Sequence, residues 1–230
     1  MASNLPTLIA DRFRIQSLVG LGTVVRVYRA VQEPLDRAVA LKVLNPELAD
    51  DPSARRRFFR EARSAARLNH ANVIQLYDFG ETDEGQLFLA MEWLAGGSMA
   101  QWRKNPPPRP VLIRAFEELL LGLAAAHGRG VLHRALKPDN LLLQGKVSEP
   151  ERLVITDFGM ASVFDAAQGT TSGETVAGTP RYMAPEQVRQ DRPATPETDI
   201  YAVGTILYEM LTGSPPFCGD AEEVMAKQVS

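Results

Sequence analysis

The chain has 230 residues, 45% hydrophobic and 23% charged, with net charge -3 and a pI near 5.7. That length can bury a sizeable core, and the balance excludes the global basic field of a nucleic-acid-binding protein. Cys218, the single cysteine, rules out an intrachain disulfide. Met1-Ala2-Ser3-Asn4 lacks the features of a signal peptide, and apolar runs such as Leu119 to Ala126 are too short for a membrane span, so the expected location is cytoplasmic.

The predicted elements begin with strands. Phe13 to Leu18 and Val24 to Val31 alternate apolar with polar residues, and Arg37 to Leu44 is a third strand-like run. A helix is predicted from Pro52 to Leu68, with Asp50, Asp51 and Ser53 near its start. Its cluster Arg55-Arg56-Arg57…Arg60 reads mainly as a solvated helix face, with a nucleic-acid patch as the rival reading. Val73 to Phe79 and Gln86 to Trp93 read as an antiparallel pair joined through Glu81 to Gly85. The character changes after Gly96-Gly97. Asn105 to Pro110 is a proline-rich loop, and Val111 to His127 is a long helix. Short strands at Leu141 to Gln144 and Leu153 to Ile155 follow, then a polar stretch from Asp165 to Thr179. Helices resume near Pro185, from Thr198 to Leu211, and from Asp220 to Ser230. The outline is a β-rich small lobe over about 11–93, a hinge at about 92–97, and a helical large lobe over about 98–230.

Gly20-Leu21-Gly22 is followed by an alternating strand rather than a helix, which excludes a Rossmann turn. Glycine there lets backbone N–H groups approach phosphate oxygens, although the pattern also fits a plain hairpin turn. Val39-Ala40-Leu41-Lys42 puts a lysine on a strand among apolar neighbours, and Glu61 lies on the following helix. His133-Arg134-Ala135-Leu136-Lys137-Pro138-Asp139-Asn140, Asp157-Phe158-Gly159 and Ala184-Pro185-Glu186 follow in order.

In order and spacing these motifs resemble the eukaryotic-type Ser/Thr protein kinases, and the runs Leu76-Tyr77-Asp78-Phe79-Gly80 and Thr179 to Gln187 look most like their bacterial branch. The resemblance runs from about Phe13 to Gln228. It implies an α+β, bilobal fold and the binding of ATP and Mg²⁺. Gly20, Gly22, Val27, Ala40, Met91, Glu92, Leu94 and Leu142 would surround the nucleotide. Lys42 would meet its α- and β-phosphates, paired with Glu61. Lys137 would contact the transferring phosphate, while Asn140 and Asp157 would hold the metal. His133 would pack rather than act as a base, and Asp199 would brace the loop backbone.

Three departures stand out. Ala135 occupies the place of the aspartate that accepts the substrate's hydroxyl proton. Asp139 lies four residues on and is not an evident substitute. Val25 replaces the third glycine of the phosphate loop. The chain ends where the family continues through several more helices, leaving Glu186 without its usual arginine. Apolar surface on the helix from Thr198 to Leu211 is therefore expected to lie uncovered, offering a seat for a protein partner or a homodimer contact. Thr170, Thr171, Ser172 and Thr175 are candidate modification sites, with Arg134 as the receiving arginine and a plain polar loop as the rival reading, while Thr179 reads as structural beside the catalytic loop.

The leading expectation is an ATP-binding pseudokinase with impaired phosphoryl transfer that serves as a signalling scaffold or regulator. The alternative is an active Ser/Thr kinase disabled by replacement of its aspartate with Ala135. Val25 and the early ending favour the first reading, and the intact flanks of Ala135 favour the second. A pure interaction domain without nucleotide is disfavoured by the retained Lys42, Glu61, Asn140 and Asp157.

Overall fold

Alternating apolar residues in the first third of the chain build an antiparallel sheet with one buried face. In a computed structural model of the protein, residues 8–22, 25–46, 50–159 and 180–230 are described. They form two units: residues 8–67 with 75–93, and residues 68–74 with 94–159 and 180–230.

In the first unit, β1 (Leu8–Ile9), β2 (Phe13–Leu21), β3 (Val25–Gln32), β4 (Arg37–Leu44), β5 (Leu76–Glu81) and β6 (Leu87–Glu92) form one sheet in the order β1-β2-β3-β4-β6-β5. β2 reaches past the predicted Leu18 to Leu21, because its pairing with β3 continues through Gly20↔Val27 and Leu21↔Arg26. Phe13, Tyr28, Ala30, Val39, Leu41, Val43, Phe88 and Ala90 form the core on one face, and the Phe13 and Phe88 rings meet edge-on at 5.5 Å. Helix α1 (Pro52–Ala66) starts where the Asp51 carboxylate accepts from the N–H groups of Ser53 at 2.8 Å and Ala54 at 3.2 Å. It buries Ala54, Phe58 and Ala62, which are spaced four apart on one face. Arg55 forks onto the Glu81 carboxylate, with Nη1 to Oε1 at 2.7 Å and Nη2 on Oε2.

The second unit is built on α2 (Arg109–His127) and α4 (Pro196–Thr212), with the hairpin β7 (Leu141–Lys146) and β8 (Glu149–Ile155). Both hairpin strands are longer than predicted. Their outer halves carry Gln144, Lys146, Glu149, Glu151 and Arg152, whose polarity hides a strand whose backbone is paired. Val73 was predicted in the strand that became β5. Instead it bridges Ile155 in parallel, and Ile74 N–H donates to the Ile155 carbonyl at 2.8 Å. Alternation identifies an extended segment without saying which edge it joins. Gly122 lets α2 approach this edge: a Cβ there would lie 2.8 Å from Ile155 Cδ1 and 2.9 Å from the Asn72 carbonyl oxygen.

Short helix α3 (Pro185–Arg189) precedes α4, and α5 (Ala221–Val229), capped by Asp220, packs on α3 and on the turn Pro180–Tyr182. Gln228 Nε2 donates to the Pro180 carbonyl at 2.7 Å. Glu186, expected to lack its partner, accepts from the Thr198 hydroxyl at 2.5 Å. Along α4, Ile200, Gly204, Tyr208 and Leu211 are all exposed and fall on one helical row. The candidate modification sites at 170–175 and Thr179 lie outside the described residues. Among the described residues, no helix is long and apolar enough to cross a membrane.

Candidate functional site

Strand register collects Gly20, Val27, Ala40, Lys42 and Met91, while Glu92 falls with Val39 on the core face. Gly20 lies opposite Val27, Val27 opposite Lys42, and Lys42 opposite Leu89. Ala40 lies opposite Met91, and Val39 opposite Glu92. Directly opposed residues share a face and neighbours in a strand alternate. Val27, Ala40, Lys42 and Met91 therefore stand together on the face opposite the Tyr28–Leu41–Ala90 core. Just past β2 the Gly22 N–H donates to the Val25 carbonyl at 2.9 Å. A Cβ on Gly22 would come within 3.3 Å of that same oxygen. A side chain there would have to push the Val25 carbonyl aside by a few tenths of an ångström, so the close approach favours glycine. Glu61 on α1 is only 12% exposed at its side chain and accepts from Arg60, with Nη2 to Oε1 at 2.8 Å.

Met91 and Glu92 end β6 in the first unit, and Leu94 begins the second. There Leu142 of β7 bridges Ser98, and Leu143 N–H donates to the Gly97 carbonyl at 2.9 Å.

The loop around Ala135 is held from several sides. The buried Asp199 carboxylate accepts from His133 N–H at 2.9 Å, Arg134 N–H at 2.8 Å and the His127 ring at 2.8 Å. This is the brace implied by the resemblance, and it supports Arg134 at a φ of 66°, a left-handed conformation that non-glycine residues rarely adopt. The His133 ring is fully buried. Its Nδ1 lies 3.3 Å from the Ala135 N–H and its Nε2 lies 2.8 Å from the Thr156 carbonyl. Those partners require Nδ1 to accept and Nε2 to donate, so the ring is neutral. Burial agrees, pushing its pKa below the ordinary histidine value despite the nearby Asp199. His133 also packs 5.0 Å from the Phe158 ring. It is a packing residue with its proton placement set by the backbone.

Asn140 Nδ2 donates to the Ala135 carbonyl at 2.9 Å, which commits the amide nitrogen and leaves the side-chain oxygen as the atom that could meet a cation. Asn140 also passes its own carbonyl to Thr156 N–H at 3.0 Å. Asp157, the next residue, has a φ of 69°. Strain of this kind persists where the surrounding structure over-determines it. Two oxygen-bearing side chains therefore project from adjoining backbone, a donor set suited to a hard cation that takes its remaining ligands from phosphate and water. Lys137 is partly buried on the same loop. At Ala135 the side chain is a methyl group, and it supplies no proton acceptor.

A further group escaped the sequence reading. Arg103, in the 3-10 turn Met99–Arg103, donates from Nε to Glu209 Oε1 at 3.0 Å and from Nη2 to the Tyr182 hydroxyl at 2.8 Å. The Tyr182 hydroxyl donates to Glu209 Oε2 at 2.7 Å. Burial and the Glu209 hydrogen bond push the tyrosine pKa far up. Arg103 also approaches the exposed Asp139 carboxylate at 3.7 Å. The available signal was Glu209 itself, a charge in phase with the buried Ala202, Thr205 and Ile206 of α4.

The family model described as "Protein kinase domain" matches residues 13–230. Serine/threonine-protein kinase pkn3 of Myxococcus xanthus is 41% identical over 93% of this chain and 40% of its own length. Serine/threonine-protein kinase PknL of Mycobacterium tuberculosis is 39% identical over 96% of this chain and 54% of its own length. The chain thus spans about half or less of the curated relatives it matches. The crystal structure of the Mycobacterium tuberculosis PknI kinase domain superposes with a TM-score of 0.73 at 28% identity, covering 94% of this chain and 80% of that one. The chain is similar over nearly its whole length to bacterial Ser/Thr kinases, and it belongs to the protein kinase domain family.

Proposed function

We propose that this domain binds Mg·ATP, transfers the γ-phosphoryl group poorly or not at all, and acts as a signalling scaffold or regulator. The observation that carries this reading is Ala135 within a loop whose other supports are present: Asp199 beneath it, Asn140 beside it and Asp157 beyond it. Gly20, Gly22 and Lys42 would serve the phosphates, with Glu61 orienting Lys42. Val27, Ala40, Met91, Glu92, Leu94 and Leu142 would surround the base and sugar. Asn140 and Asp157 would hold Mg²⁺, which when bound neutralises phosphate charge. Lys137 would steady the transferring group. At Ala135 the substrate hydroxyl meets no acceptor for its proton, and loss of a general base costs typically about 10²–10⁴-fold in rate.

The second reading is a kinase, active in its natural form, in which Ala135 replaces the aspartate. The retained motif residues on either side of Ala135 favour it. Mg·ATP binding and autophosphorylation of this chain and of Ala135→Asp separate the two. Restored transfer identifies a disabled kinase. Nucleotide binding without restored transfer identifies a pseudokinase. If neither protein binds Mg·ATP, both readings fail. Lys42→Met serves as the control and should weaken Mg·ATP binding about tenfold or more, the range of a charge-assisted phosphate contact.

A partner surface belongs to the same reading. The exposed row Ile200, Gly204, Tyr208 and Leu211 on α4 offers an apolar seat for a protein partner or a second copy. A strictly monomeric protein in light scattering at high concentration would argue against the second copy.

A further inference from the structure

The outer face of α1 carries a charge pattern that the nucleotide reading does not use. Arg56, Arg60, Arg63 and Arg67 are all exposed, with spacings of four, three and four residues. They form one ridge along the helix and its C-cap, about 16 Å long at 1.5 Å per residue. Glu61 is the single acidic residue from 52 to 67, and it already accepts from Arg60. Arg55, the arginine turned inward, is neutralised by Glu81. Among the described residues no ion pair reaches Arg56, Arg63 or Arg67. Like charges three and four residues apart on a helix repel, so an anion along the ridge relieves a cost that the free helix bears.

We infer that this ridge is a docking surface for an anionic polypeptide segment, one rich in carboxylate or phosphorylated side chains. All four ridge residues are arginine, whose planar fork matches carboxylate and phosphate oxygens two at a time. The ridge is one helix wide, and its length suits about five residues of extended chain. A membrane surface is disfavoured because the apolar face of α1 is already buried through Ala54, Phe58 and Ala62, and no large apolar side chain of the helix is exposed for insertion. Nucleic acid is disfavoured by the net charge of -3 and by the aromatic residues of α1, which pack inward: Phe58 is buried and Phe59 lies against Phe79.

The test is fluorescence anisotropy with two labelled probes, dodecaglutamate and a twelve-residue peptide carrying phosphoserine at every fourth position. The protein is compared with Arg56→Glu/Arg63→Glu and with the control Arg109→Glu/Arg129→Glu, two exposed arginines of the other unit. Circular dichroism and melting establish that the variants fold. At about 50 mM salt, the ridge variant is expected to bind at least one probe about tenfold more weakly, the control within about twofold, and higher salt to erase the difference. Equal weakening in both variants, or no binding of either probe by the parent, overturns the inference. So does binding of anionic lipid vesicles or a polynucleotide through Arg56 and Arg63 in place of the peptides. A dimer that dissociates on ridge reversal would assign the face to a second copy and equally overturn it.

Discussion

Replacing Arg103 with methionine removes a guanidinium from a cluster that is buried on one side only. Glu209 is 5% exposed at its side chain and loses its 3.0 Å donor, while the Tyr182 hydroxyl loses its 2.8 Å donor and keeps its bond to Glu209. Breaking a fully buried pair in this way costs about 3–5 kcal/mol, because a charge remains uncompensated. Arg103 is 35% exposed, so water reaches part of the vacated volume and screens the carboxylate. We therefore expect a loss of about 2 kcal/mol. For a chain of this size that lowers Tm by about 4–8 °C. The informative measurement is the double-mutant cycle with Glu209→Gln, because removing the stranded charge should recover about 1 kcal/mol or more of the single-mutant loss. Thermal unfolding of the four proteins by circular dichroism supplies the values. A single-mutant shift below about 1 °C, or strict additivity in the cycle, would refute the view that Arg103 compensates Glu209.

Two further outcomes follow from the packing. An NMR titration of the His133 ring should show a midpoint below the ordinary histidine value of about 6.5. A folded-state pKa below the unfolded one means that the unfolded chain binds more protons, so this histidine's contribution is complete above about pH 6.5 and declines as pH falls toward the folded-state pKa. A midpoint at or above 6.5 contradicts the neutral-ring assignment. Gly122→Ala should destabilise by about 1–3 kcal/mol through overpacking, despite alanine's better helix propensity, because the added methyl meets Ile155 and the Asn72 carbonyl below 3.0 Å. A Tm equal to or above that of the parent would show that α2 can shift away from β8 without cost.

Local patterns revealed much of this protein. Strand alternation announced Phe13, Arg37 and Gln86 as starts of extended segments within about four residues, and proline with aspartate marked the start of α1 at Pro52. The motif residues of the two units were legible because each needs a particular side chain at a particular offset: glycine at a tight turn, lysine on a strand, asparagine five residues after the alanine whose carbonyl it holds. Other features were not legible. Val73 and the polar ends of β7 and β8 follow backbone pairing that side-chain polarity conceals.

The sequence by itself determined the family, the order of the elements and the absence of a proton acceptor at Ala135, since each depends on which residue stands at which spacing. Tertiary structure decided where the polar side chains spend their hydrogen bonds. Glu209 finds Arg103 across 106 positions, Asp199 finds His133 across 66, and Glu186 finds the Thr198 hydroxyl across 12. Periodicity shows that such a residue turns inward. Its partner depends on which other segment reaches the same buried spot, and a buried polar group must find one.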